Sequence, residues 1–249
     1  MKVFSDILYN AHGQVLDVDL PDTGPVKAVF VYFHGGGLEN GDKNSRSLFI
    51  HHLTHHQIAV VDVRYRMYPQ AKYPEFIEDA ADAVAWTFQN IGQYTDCRKI
   101  FAGGSSAGGY LSMMLCFDRQ YLGRHGLKPT DLAGFIHDAG QPTVHFNVLR
   151  ERGIDTRRLI VDEAAPLYHI GADGTDCPDM LFLVSDGDME NRYEQTMLVL
   201  STLKHFRYDP MKIQCQVLHG SHCHYVHRAD ATGQSIFGQL IEEFVDKVL

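Results

Sequence analysis

The chain has 249 residues, 45% of them apolar and 21% charged, with a formal net charge of −9. Those proportions exclude a disordered chain, and a chain this long builds a core without a disulfide or metal staple. The acidic balance leaves no basic stripe to neutralise phosphates, which argues against a nucleic-acid partner.

The opening residues, MKVFSDILYNAHG, contain no apolar h-region of a secretory signal. Gln14 to Leu20 (QVLDVDL) alternates apolar and polar residues and reads as a half-buried antiparallel strand. Pro21-Asp22 ends it, and Thr23-Gly24-Pro25 reads as a turn. Ala28 to Phe33 (AVFVYF) is continuously apolar, the pattern of a strand buried on both faces. A helix is expected over Ser45 to His56 and a second buried strand over Ile58 to Val63. Pro74 to Ile91 has helical periodicity, with Phe76, Ile77, Ala80, Ala81, Val84 and Phe88 on one face. Ile100 to Ala102 is a strand that runs toward a helix at Ala107 to Phe117. Leu132 to His137 is the next strand. Gln141 to Cys177 is long, irregular and polar, and reads as an insertion over the site, part loop and part short helix. Strand Met180 to Val184, helix Glu190 to Phe206, strand Ile213 to Leu218 and helix Thr232 to Val248 complete the chain. Strands alternating with helices predict an α/β fold: a mostly parallel sheet of about eight strands with helices on both faces. The expected organisation is one domain over 1–249 with a cap-like insertion or loop at 141–178. No run approaches the roughly 18 apolar residues of a membrane span. Five cysteines, an odd number without a CxxC pair, argue against a disulfide framework and for a reducing cytoplasm.

Lys99 to Tyr110 (KIFAGGSSAGGY) carries the strongest chemical signal. A strand enters Gly104-Ser105-Ser106-Ala107-Gly108 and leaves as a helix, the context that G-x-S-x-G requires. The turn is too tight for bulky flanks, and it lifts the Ser106 hydroxyl off the sheet at a helix N-terminus. A phosphate loop is disfavoured because the turn has no lysine. His34-Gly35-Gly36-Gly37 follows the AVFVYF strand, and successive glycines let amides turn toward a ligand. A serine nucleophile passes through an oxyanion, and the amides of Gly36, Gly37 and Ala107 are candidates to bind it.

The serine needs a base and the base a carboxylate, in the order Ser, Asp, His after successive strands. Ser185-Asp186-Gly187-Asp188 follows one strand and His219-Gly220-Ser221-His222-Cys223-His224 follows the next. Asp188, farther along the loop, is favoured over Asp186, which reads as a turn former. His222 stands in a loop from which an imidazole can swing to the serine; His219 ends a strand, and His224 stays an alternative.

The motifs HGGG, YRMYPQAKYPEFIEDAADAVAW, GGSSAGGY, AAPLYHI, SDGD and HGSH together resemble an α/β-hydrolase. They are similar to the hormone-sensitive-lipase-like esterases, and more closely to small bacterial carbohydrate-type acyl esterases, over Val15 to Leu249. The resemblance implies a triad of Ser106, His222 and Asp188, an oxyanion hole of Gly36, Gly37 and Ala107, and no metal or organic cofactor. Tyr65 to Pro69 resembles the family's Y-R-x-x-P turn, a structural element. The family's GxxHGF region reads GSHCHY here. Lipase-like relatives carry a long N-terminal cap; HGGG arrives here at residue 34, so an open site suited to small or sugar-linked esters is expected. The expected function is a serine carboxylesterase for short-chain acyl esters, acylated sugars included, with a small-molecule partner. An amidase, peptidase or arylformamidase on the same triad is the alternative, as is a thioesterase. A non-catalytic binding protein would show a broken triad.

Other signals have plainer readings. His51 with His55 and His52 with His56 are i, i+4 pairs that can chelate zinc, but no carboxylate is near in sequence, so a solvated helix face is expected. Cys223 reads as a partly buried thiol and Trp86 as core. Tyr65, Tyr68, Tyr73 and Tyr110 either line the acyl or alcohol pocket or simply pack. Arg150, Arg152, Arg157 and Arg158 form a solvated loop or border the site to contact a polar or acidic alcohol.

Overall fold

The computed structural model describes residues 1–44 and 47–249. The strands are β1 (Lys2–Leu8), β2 (Val15–Leu20), β3 (Ala28–Phe33), β4 (Ile58–Val63), β5 (Ile100–Ser105), β6 (Gly134–Asp138), β7 (Asp179–Gly187) and β8 (Ile213–Ser221). Among the described residues they form one eight-stranded sheet in the order β1-β2-β4-β3-β5-β6-β7-β8. Only the β1–β2 and β2–β4 pairings are antiparallel. The helices are α1 (Leu48–His55), α2 (Glu75–Asn90), α3 (Ala107–Phe117), α4 (Arg119–Gly123), α5 (Phe146–Glu151), α6 (Pro166–His169), α7 (Arg192–His205) and α8 (Ile236–Val248).

β3 explains why an unbroken apolar run makes a central strand. Val29, Val31 and Phe33 enter one core layer with α2 and α3, while Ala28, Phe30 and Tyr32 enter the other with α1 and α8. Each large apolar side chain buried this way contributes about 1.5–3 kcal/mol. α3 is buried along its whole length. No helix among the described residues is long and apolar enough to cross a membrane.

Several boundaries depart from the sequence reading. β1 was not anticipated: it is an exposed edge strand with a register irregularity between Phe4 and Ile7, so no periodicity marks it. β2 is buried on both faces instead of one, because Asp17 is covered by the Lys43 ammonium at 2.8 Å and the Asp6 amide at 2.8 Å. The Ser45–His56 helix begins at Leu48; Ser45 and Arg46 lie outside the described residues. β5, β7 and β8 each run two or more residues beyond their apolar text, into Gly103-Gly104-Ser105, Ser185-Asp186-Gly187 and His219-Gly220-Ser221. The ladder continues there because backbone pairing does not require apolar side chains: Ser105 pairs with Asp138 and Gly187 with Ser221. These polar strand ends share one rim of the parallel sheet.

Candidate active site

The site sits at that rim, outside the carboxyl ends of the strands. Ser106 joins β5 to α3 with φ 56° and ψ −110°, a conformation that costs a non-glycine residue about 1–3 kcal/mol. Its amide donates to the Asp138 carbonyl at 2.8 Å, which fixes the turn. A Cβ on Gly104 or on Gly108 would collide with the Phe33 carbonyl, so glycine at both positions lets the end of β3 reach the turn.

Ser106 Oγ lies 2.8 Å from His222 Nε2, and His222 Nδ1 lies 2.5 Å from Asp188 Oδ1. His222 follows β8 and Asp188 follows β7. Asp188 also accepts from the Met189 amide at 2.7 Å and the Ser185 amide at 3.4 Å. Burial pushes its carboxyl upward, but the bonds from His222 and the two amides outweigh burial and hold it below the ordinary value. The alternatives are engaged elsewhere. Asp186 is 2.8 Å from His219 Nδ1 and accepts from the Gly220 amide at 3.0 Å, both on the exposed surface. His224 Nδ1 is 2.9 Å from the Ser221 carbonyl.

The HGGG loop lies against Ser106: a Cβ on Gly35 would stand 3.3 Å from Ser106 Cβ. Tyr65 stacks on the His34 ring at 4.4 Å and donates to the His34 carbonyl at 2.7 Å. Gly36 and Gly37 have φ of 110° and 67°. Among the described residues, neither amide donates to a protein acceptor. Ala107 supplies the first amide of α3, at the positive end of the helix dipole. Gly36 and Gly37 line the same cavity as Ser106, and Ala107 follows Ser106 in the chain.

A cavity of about 590 Å³ opens over Ser106 and His222. Phe49, Phe146, Met189 and Val226 give it apolar lining, and Asn40, Asp42 and Asp62 are among its polar residues. Burial pushes the Asp62 carboxyl up to about 8. Phe146 opens α5, and Asn147 beside it donates to the Gly37 carbonyl.

For other residues the structure decides between the readings left open. Tyr65, Tyr68, Tyr73 and Tyr110 do not line this cavity. Tyr110 donates to the Ala164 carbonyl at 2.9 Å, Tyr73 to the Glu163 carbonyl at 3.1 Å and Tyr68 to Glu151 at 2.5 Å, so they fasten the 141–178 segment. None of Arg150, Arg152, Arg157 and Arg158 lines it either. Arg150 pairs with Glu39, Arg152 with Asp162 at 2.6 Å and Arg157 with Asp155 at 2.6 Å. Arg66 of the Y-R-x-x-P turn holds the buried Asp79 through Nε at 2.8 Å. The histidine-rich helix is not simply a solvated face, since His52 is buried against α8.

Two neighbours of the site were missed. Asp138 is fully buried at the end of β6 and accepts a hydrogen bond from Tyr225. Burial pushes its carboxyl up to about 6 against the pull of Ser105, Tyr225 and His222. Arg192 is buried, donates to the Ala139 carbonyl at 2.7 Å and acts electrostatically on Asp188. The place of Asp138 at a strand end was the one signal available. Cys223 Sγ stands 3.6 Å from His222 Nε2. Burial raises its pKa well above the ordinary thiol value, which keeps it protonated and a poor nucleophile.

A family model for the alpha/beta hydrolase fold matches residues 30–195. Esterase LipI of Mycobacterium tuberculosis is 36% identical over 100 residues, 38% of this chain and 31% of that protein. The chain spans about a quarter to a third of the length of the curated relatives it matches. Among solved structures, esterase B from Lactobacillus rhamnosis superposes with a TM-score of 0.79 at 17% identity, covering 99% of this chain and 85% of the other. A truncated carbohydrate esterase from gut microbiota superposes at 0.75 and 17% identity, covering 100% and 96%. These two likenesses concern the fold.

Proposed function

The chain belongs to the alpha/beta hydrolase fold family, and from that premise we propose that it is a serine carboxylesterase for short-chain acyl esters, acylated sugars among them. One observation carries the reading: an unbroken relay from Asp188 through His222 to Ser106, with Ser106 held in a strained turn. Ser106 Oγ attacks the ester carbonyl carbon as His222 Nε2 takes its proton. Asp188 accepts from His222 Nδ1–H, fixes the tautomer and stabilises the charged imidazolium. The amides of Gly36, Gly37 and Ala107 hold the oxyanion. Collapse breaks the bond to the alcohol, which leaves with the proton from Nε2. Water then loses a proton to Nε2 and attacks the acyl-serine, and collapse frees the acid and returns the proton to Ser106.

A cavity of about 590 Å³ is at the size of a small-molecule site, and its acidic and amide side chains suit a hydroxyl-rich alcohol. The carbohydrate esterase among the structural neighbours points the same way. The whole chain works as one domain in this reading, with 141–178 contributing Phe146 to the cavity lining. The five free cysteines fit a reducing cytoplasm.

The test is turnover of p-nitrophenyl acetate, butyrate and octanoate and of acetylated xylose and glucose. Wild type should cleave the two shorter aryl esters and release acetate from the sugars, and Ser106→Ala should lose about 10⁴–10⁶ in rate. An inert wild type whose Ser106 also fails to react with a fluorophosphonate would overturn the reading.

A further inference from the structure

Away from the residues assigned to chemistry, α1 and α8 bring a second constellation together. His52 on α1 and His56, which caps its C-terminal end, are four residues apart, and their rings stack at 4.3 Å. Glu242 reaches them from α8: its Oε2 is 2.8 Å from His52 Nε2 and its Oε1 is 2.5 Å from His56 Nδ1. One donor atom from each of the three residues lies within 4.8 Å of the others. The surroundings are shaped for this meeting. His52 is buried, and its ring lies over Gly238, where an added Cβ would come within 2.8 Å of it. Gly238 is one turn before Glu242 on α8, so the helix that supplies the carboxylate also makes room for the imidazole. A hollow of about 900 Å³ reaches both histidines and gives a hydrated ion a route to them.

We propose that His52, His56 and Glu242 form a binding site for a zinc-class divalent transition-metal ion that ties α1 to α8. Two imidazole nitrogens and one carboxylate oxygen suit zinc and its neighbours; calcium and magnesium prefer all-oxygen sets. With the ion bound, the hydrogen bonds between Glu242 and the imidazoles are replaced by bonds to the metal, and any imidazole proton that faced the carboxylate is lost or moved to the other ring nitrogen. Three protein ligands leave a fourth tetrahedral position for water. The two helices are 190 positions apart in sequence at His52 and Glu242, so the ion would bind the folded chain and stabilise it.

The experiment is zinc titration of untagged, chelator-stripped protein against a chromophoric competitor, with thermal unfolding alongside. One zinc per chain at micromolar affinity or tighter is expected, and Tm should rise by about 5–10 °C at free zinc of 100 times Kd. Glu242→Gln and His56→Gln should each weaken binding at least about 10-fold. The double variant His51→Gln/His55→Gln removes the neighbouring exposed pair and should keep wild-type affinity. If Glu242→Gln fails to fold, His56→Gln, whose side chain is 32% exposed, carries the comparison. Absence of stoichiometric binding would mean a hydrogen-bonded clamp only and would overturn the proposal. So would wild-type affinity in His56→Gln or lost affinity in the His51/His55 variant. Ester turnover enters none of these readouts, so this site and the proposed esterase reading fail separately.

Discussion

Asp186 stands 2.8 Å from His219 Nδ1, the two residues lying two and three positions before Asp188 and His222, which meet at 2.5 Å. Two acid–imidazole pairs thus bridge β7 and β8, and only the inner one reaches a serine. The Asp186 side chain is 48% exposed and the His219 side chain 97%.

Loss of the inner pair should therefore be catastrophic and loss of the outer pair nearly silent. His222→Ala and Asp188→Asn should each lower kcat for p-nitrophenyl butyrate by about 10³–10⁵. Asp186→Asn, His219→Ala and His224→Ala should stay within about threefold of wild type. A large loss in the outer pair with the inner pair spared would reassign base and acid.

Cys223 lies close enough to His222 to be suspected as a second nucleophile. Its thiol is held protonated by burial, so Cys223→Ser should retain turnover within about threefold. Active-site titration with a fluorophosphonate should still count one site per chain. A thousandfold loss in Cys223→Ser would move the covalent intermediate from oxygen to sulfur.

Tyr225 donates to a fully buried carboxylate, that of Asp138. Tyr225→Phe removes the donor and leaves the acceptor, which should destabilise the fold by about 1–3 kcal/mol in urea unfolding. A variant as stable as wild type would show that Asp138 is satisfied without Tyr225.

His137 supplies a pH dependence with a definite sign. Its ring is packed against Phe117, Phe135 and Phe182, and Ser112 Oγ is 2.9 Å from Nδ1. Burial pushes its pKa from 6.5 to about 3. The unfolded chain therefore takes up a proton below about 6.5 that the folded chain refuses until about 3, and stability falls as pH drops through that window. At about 1.4 kcal/mol per pH unit, the loss at pH 5 is about 2 kcal/mol. His137→Phe lacks this term, so the stability gap between wild type and variant should shift by about 2 kcal/mol in the variant's favour from about pH 7.5 to about pH 5. An unchanged gap in urea titrations at the two pH values would mean that His137 protonates in the folded protein.

What could be read in advance follows from where the information is local. β3, β4 and α3 matched their predicted bounds, because unbroken apolar text has one reading once turns flank it. The elbow was visible because its small residues are adjacent in the chain: Gly104 is crowded by the Phe33 carbonyl and by the Gly108 backbone, and Gly108 by the same Phe33 carbonyl. Ser106, Asp188 and His222 could be nominated because each follows a strand end. Choosing Asp188 over Asp186 depended on loop position alone, and the structure now places only Asp188 against His222. The roles of Asp138, Arg192 and Glu242 were illegible, since each depends on a partner more than 50 positions away. The two readings of the tyrosines stayed open for a related reason. A phenol that fastens a distant loop has the same sequence signature as one that faces a substrate.

The cavity wall bearing Phe146 hangs from those tyrosine hydroxyls and from side chains such as Asn147, and the strand ladder does not run through it. The wall touches the proposed oxyanion loop through the Asn147–Gly37 bond, while the hydrogen bonds of the Ser106–His222–Asp188 relay come from elsewhere. Replacing Phe146 while keeping Asn147 should retune which acyl group fits while the sheet, the turn at Ser106 and the relay behind it stay as they are, making this side chain the natural point of redesign.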